Sequence, residues 1–135
     1  MRKVTAALHR AGVPLVAGTD AMGLPLIVPG ASLHRELRIL IECGLTPYEA
    51  IRTATINPAV FLGQDREFGT VAEGKRADLL LVEGNPLQDL THLRRPMGVM
   101  VRGTWIPRNE LQQRLAALRS TAEPRADPEL GRIPR

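Results

Sequence analysis

Residues 13–21, VPLVAGTDA, and residues 32–63, SLHRELRILIECGLTPYEAIRTATINPAVFLG, decide how this chain folds. The first is a short run, apolar on both faces, that ends in small and polar residues. Such a run suits a parallel strand covered on both sides. Residues 4–10 before it predict a short helix that stops at Gly12, with Pro14 beyond. Helix, Gly-Val-Pro, buried strand over 13–19, then Gly18-Thr19-Asp20 make an αβ unit. That unit sets a carboxylate, Asp20, at the carboxyl end of a strand, where α/β folds keep their chemistry. The next ten residues, rich in Gly and Pro, predict a loop.

The second stretch predicts three helices in succession. Leu33, Leu37, Leu40 and Ile41 fall at i, i+4, i+7 and i+8 and form one apolar stripe. Ser32 is the expected N-cap and Gly44 the stop. Thr46-Pro47-Tyr48-Glu49 matches a capping box with proline at the first helical position. That helix is expected to run to about Thr55, and Asn57-Pro58 to open another through Phe61-Leu62 to Gly63. Leu37, Leu40, Ile41, Ile51 and Phe61 are the expected local apolar cluster.

Beyond Gly63 the period shortens. Residues 68–71, 78–82 and 98–106 have strand composition, separated by breakers at Gly74, Gly84-Asn85-Pro86 and Arg94-Arg95-Pro96. Gly103-Thr104 is expected in a hairpin turn that splits the last run. Residues 110–118 predict a helix capped by Asn109, with Leu111, Leu115 and Leu118 on one face. The tail, TAEPRADPELGRIPR, has three prolines and mixed charge and is expected to be disordered.

The whole chain has 135 residues, 44% hydrophobic and 24% charged, an ordinary globular balance with material for about one core. Apolar runs of four or five residues exclude a membrane-spanning helix. The basic N-terminus lacks an apolar h-region, which argues against a secretory signal and makes the cytoplasm the expected compartment. One cysteine, Cys43, excludes an internal disulfide and a multi-cysteine zinc site. Net charge is +4, from 18 Lys+Arg against 14 Asp+Glu. Sixteen of the bases are arginines, interleaved with acids along the chain, and aromatics are only 3%. That is too few for a base-stacking platform, so a solvated arginine-rich surface is expected and nucleic acid is not.

AGTDA, HRELRILIECGLTPYEAIRTATINPAVFLG, GTVAEGKRADLLLVEGNPLQDL and VMVRGTWI, in that order, resemble the C-terminal third of metal-dependent amidohydrolases. The resemblance covers residues 1 to about 107 and points to the imidazolonepropionase-like, prolidase-like branch. It implies an α/β fold: the C-terminal fragment of a (β/α)8 barrel plus the C-terminal strands of a small β-sandwich. Residues 1–63 would be the end of the barrel, with its last strand at 13–19 and closing helices at 32–63. Residues 64–107 would be the sandwich strands, and 108–135 a terminal helix and disordered tail.

By the same resemblance, a divalent metal, usually zinc, activates a water for hydrolysis of a C–N bond. Asp20 would be the carboxylate that takes the proton of that water, and a metal ligand only in a completed site. A bare GTD triplet also suits an exposed loop aspartate or a helix cap. His34 matches a histidine at the active-site mouth of related sequences, a substrate-proximal place; a surface or capping histidine fits there too. Asp78 is expected to satisfy turn donors rather than catalyse. Lys75 lacks the upstream glycines of a phosphate loop.

The metal-binding His-x-His pair of the resembled family is absent, and His9, His34 and His92 lie far apart. A zinc site takes three or four protein ligands, and a barrel about 250 residues. The expectation is therefore an amidohydrolase piece, from a truncated gene, a partial gene model or a split enzyme. It would be inactive and metal-free alone, able to pair with an N-terminal half, and prone to self-association. The competing expectation is a non-catalytic module that pairs with a partner chain through exposed strand edges.

Overall fold

The computed structural model describes residues 2–21 and 27–121. Its elements are α1 (Arg2–Arg10), α2 (Ala31–Glu42), α3 (Pro47–Thr53), α4 (Ile56–Phe61), β1 (Leu79–Leu81), a 3-10 helix η1 (Leu90–Arg94), β2 (Gly98–Val101), β3 (Thr104–Pro107) and α5 (Arg108–Thr121). Of the tail expected over 121–135, Thr121 ends α5 and the rest lies outside the described residues, as does the middle of the expected loop after Asp20.

The helices form for local reasons. α3 carries its full capping box: Thr46 Oγ1 accepts the Glu49 N–H at 3.2 Å, and Glu49 Oε2 accepts the Thr46 N–H at 2.8 Å. Two of the first-turn donors are thus satisfied within four residues. α2 starts two residues earlier than a cap at Ser32 implies. Gly30, at φ 76°, is its N-cap, and no side chain caps it. Ser32 instead accepts the Val28 N–H at 2.9 Å, closing the turn before the helix. α5 begins at Arg108, so Asn109 lies inside its first turn rather than capping it.

The sheet is antiparallel in the order β1-β2-β3, with Leu80 opposite Val99 and Met100 opposite Trp105. Arg102 and Gly103, at φ 48° and 82°, form the β2–β3 turn. Two consecutive positive φ values match the right-handed twist of a hairpin. Arg102 accepts the less favourable value because Asp78 Oδ1 takes its N–H at 2.7 Å. Asp78 therefore satisfies a turn donor, as expected, though in a turn 24 residues away. The expected strand over 68–71 is not formed. Gly69 stands there at φ 98°, pressed against Ala59, where any side chain would collide.

The expected strand over 13–19 is not formed either. The segment has no ladder partner among the described residues, and a strand exists only by pairing. It lies instead across the helices. The core comprises Leu37, Leu40, Cys43, Leu45 and Ala50, with Leu15, Ala17, Leu90 and Leu93 packed partly against it. Phe61, expected in this cluster, is 81% exposed, while Ala59 of the same helix is fully buried. A six-residue helix can turn one narrow face inward, and α4 turns Ala59. Between α3, α4 and the sheet lies an open apolar groove of about 650 Å3, its walls including Ile51, Pro58, Leu80 and Trp105.

Candidate functional site

Each of the three helices supplies one hydrogen bond to the segment that leads to Asp20. From α2, Glu36 Oε1 accepts the Gly18 N–H at 2.7 Å. From α3, the Thr53 carbonyl accepts the Ala17 N–H at 2.9 Å. From α4, Asn57 Nδ2 donates to the Leu15 carbonyl at 2.8 Å. These bonds do the work of a sheet ladder: they pair a backbone that would otherwise be half-buried and unsatisfied. Thr53 is itself 1% exposed, and its hydroxyl donates to the Ala50 carbonyl at 2.6 Å. The anchor is thus held from behind.

Asp20 follows two residues after the last tether. It is exposed and sits at φ 49°, in the left-handed region that aspartate tolerates better than most side chains. An exposed carboxylate at the end of a tethered segment is available to accept a proton from a molecule bound beside it.

His34 lies elsewhere. It is half-buried in the wall of a cleft between α2 and η1, a cleft that Asp20 does not line. Burial first, and the Arg94 guanidinium second, hold its imidazole below the usual histidine range. The structure does not bring the two predicted site residues into that one cleft. Lys75 donates to the Asp65 carbonyl at 2.6 Å and to Thr70 Oγ1, so it ties a loop together.

Among the described residues, no three His, Cys, Asp or Glu side chains gather where a metal ion could bind. Zinc takes three or four protein ligands and Asp20 supplies at most one side chain. The described residues therefore do not by themselves fit the divalent metal that the resemblance implies.

Sequence reasoning missed Glu36, Thr53 and Asn57. A signal for the first was present. Glu36 stands between Leu33 and Leu37 on the apolar stripe of α2, three residues before Ile39 and four before Leu40. An acid on a buried face needs a donor, and here the donor is backbone.

A family model described as the amidohydrolase family matches residues 1–106. Ochratoxinase from Aspergillus niger is 36% identical over 92 residues, which cover 67% of this chain and 18% of ochratoxinase. Among solved structures, a Xaa-Pro dipeptidase with methionine bound in its active site aligns with a TM-score of 0.69 and 28% identity, over 78% of this chain and 25% of the dipeptidase. Molinate hydrolase aligns with a TM-score of 0.71 and 28% identity, over 81% of this chain and 27% of its own. The chain thus spans about a fifth of ochratoxinase and about a quarter of each solved relative.

Proposed function

The chain belongs to the amidohydrolase family, and from that premise we propose that it contributes the Asp20 part of a centre that hydrolyses carbon–nitrogen bonds. Further polypeptide completes the centre, and the chain alone turns nothing over. The observation that carries this reading is the placement of Asp20: exposed, and two residues beyond a segment fixed by Glu36, Thr53 and Asn57. Asp20 accepts the proton of the attacking water and passes it to the leaving nitrogen, work that needs a fixed carboxylate. His34, in the first turn of α2, stands toward the substrate side in this reading.

The likeness to a Xaa-Pro dipeptidase supports the prolidase-like branch and, with it, a barrel end over 1–63 and sandwich strands over 64–107. The complement is the N-terminal portion of the same fold, in the same polypeptide or in a second chain. It is also what would bring the remaining ligands of a divalent metal.

The test is co-expression with a polypeptide that supplies the missing portion. The complex should hydrolyse an amide-type substrate, and Asp20→Asn should lower kcat about 10²- to 10⁴-fold while the complex still forms. An active complex indifferent to Asp20→Asn overturns the role of Asp20. A second reading, a non-catalytic module, draws on β1, an edge strand whose Leu80 and Leu81 are exposed. A stable complex with an unrelated partner through β1, and no activity with any amidohydrolase complement, would favour it.

A further inference from the structure

α2 and η1 form the walls of a cleft of about 530 Å3. α2 lines it with His34, Arg35 and Arg38, and η1 lines it with Arg94. Arg38 follows His34 and Arg35 by four and three residues, so these side chains stack on neighbouring turns of one helix face. Arg94 reaches the same space from the last residue of η1, 56 positions further along the chain than Arg38. None of the three arginines has an ion pair among the described residues; the ion-paired arginines are Arg2, Arg76, Arg108 and Arg114.

The one acid among the described wall residues, Asp89, is otherwise engaged. It caps η1, with Oδ1 accepting the Thr91 N–H at 2.8 Å and Oδ2 accepting the Thr91 hydroxyl at 2.6 Å. Three guanidiniums against one carboxylate leave a formal surplus of two positive charges in the cleft walls (3 − 1). Guanidinium stays charged at any physiological pH. Collecting three of them around one hollow without an acid to pair them costs mutual repulsion. An anion in the hollow relieves it.

We propose that this cleft binds a phosphate group. A carboxylate offers two oxygens in one plane and suits a single guanidinium fork. A tetrahedral dianion offers oxygens in several directions, which matches arginines arriving from two elements, and its charge equals the surplus. The cleft volume leaves room for an organic group of modest size on the phosphate. The inference does not depend on the role of Asp20, because Asp20 lines no part of this cleft.

The experiment is a titration of the 135-residue chain, 15N-labelled, with inorganic phosphate and with glycerol phosphate. Acetate and chloride at matched ionic strength are the comparators. Expected are saturable shifts confined to α2 and η1 amides, with Kd of about 1 mM or below. The exposed-surface double variant Arg38→Gln/Arg94→Gln should weaken binding at least about tenfold. Tighter binding of glycerol phosphate than of inorganic phosphate identifies an esterified ligand, and equal binding identifies the free ion. Shifts that do not saturate, that acetate or chloride reproduces, or that survive in the double variant overturn the proposal.

Discussion

Glu36 accepts the Gly18 N–H at 2.7 Å, and its second carboxylate oxygen is buried with no partner among the described residues. One oxygen of this side chain thus anchors the segment before Asp20, and the other lies buried beside it. Glu36→Ala removes both oxygens, whereas Glu36→Gln keeps an acceptor and adds a donor.

Hydrogen exchange at Gly18 separates these contributions. Losing a bond to a charged acceptor costs about 1.5 kcal/mol, or roughly tenfold in local opening. Glu36→Ala should therefore speed exchange of the Gly18 amide about tenfold, and Glu36→Gln by clearly less. An unchanged Gly18 rate in the alanine variant would show that Thr53 and Asn57 hold the segment without Glu36.

The capping box on α3 makes a second prediction. Thr46→Ala should lower stability by about 1 kcal/mol, read from denaturant unfolding, because it leaves a first-turn N–H without its acceptor. A variant as stable as the parent would mean that water replaces the cap at no cost.

Stability should fall on acidification in two stages. Partial burial, with Arg94, keeps His34 below the ordinary imidazole range, so the unfolded chain takes up that proton first as pH falls through about 6.5. Hydrogen bonds from the Thr46 backbone, the Arg102 backbone and the Thr91 side chain hold Glu49, Asp78 and Asp89 below the usual carboxylate range. What they contribute is present above that range and is lost as pH falls through it and below. Thermal unfolding followed by circular dichroism between neutral and acid pH checks the order. In His34→Gln the early stage should disappear and the late one remain. Stability that rises toward acid pH would contradict both assignments.

Metal analysis is the fourth test. The purified chain, by elemental analysis, should hold far less than one zinc per molecule, because its described residues gather no ligand set. About one tightly bound zinc per chain would require ligands beyond the described residues or a site built between copies.

The isolated chain should be marginally stable and self-associating. Its buried core is a handful of side chains, while Phe61 and Val71 are more than 80% exposed and Leu80, Leu81 and Trp105 are each at least 42% exposed. Such apolar surface beside an edge strand favours association. Light scattering should show species larger than a monomer, with unfolding free energy below about 5 kcal/mol. A monomer that unfolds sharply above that value would be a self-sufficient domain.

Much of this was legible in the residues themselves. The Thr46–Glu49 capping box and the stripe of Leu37, Leu40 and Ile41 form from neighbours within a few positions. Local hydrogen bonds and side-chain period select them before any distant contact exists. The hairpin turn, expected at Gly103-Thr104, falls one residue earlier at Arg102-Gly103, where Asp78 supports it. The order of the four quoted segments was enough to place the family.

Other features depended on residues far apart meeting. An apolar run such as 13–19 reads as a strand, but pairing is a property of two segments. Here Glu36, Thr53 and Asn57, up to 42 positions away, satisfy the backbone instead. α4 presents both Ala59 and Phe61 as apolar, and it is Ala59, with Gly69 close against it, that goes inside. The helical repeat sets Arg35 beside Arg38, yet nothing in the sequence brings Arg94 to them. Packing of η1 on α2 through Leu90 and Leu93 does that, because burying those leucines leaves the arginine that follows them facing the cleft.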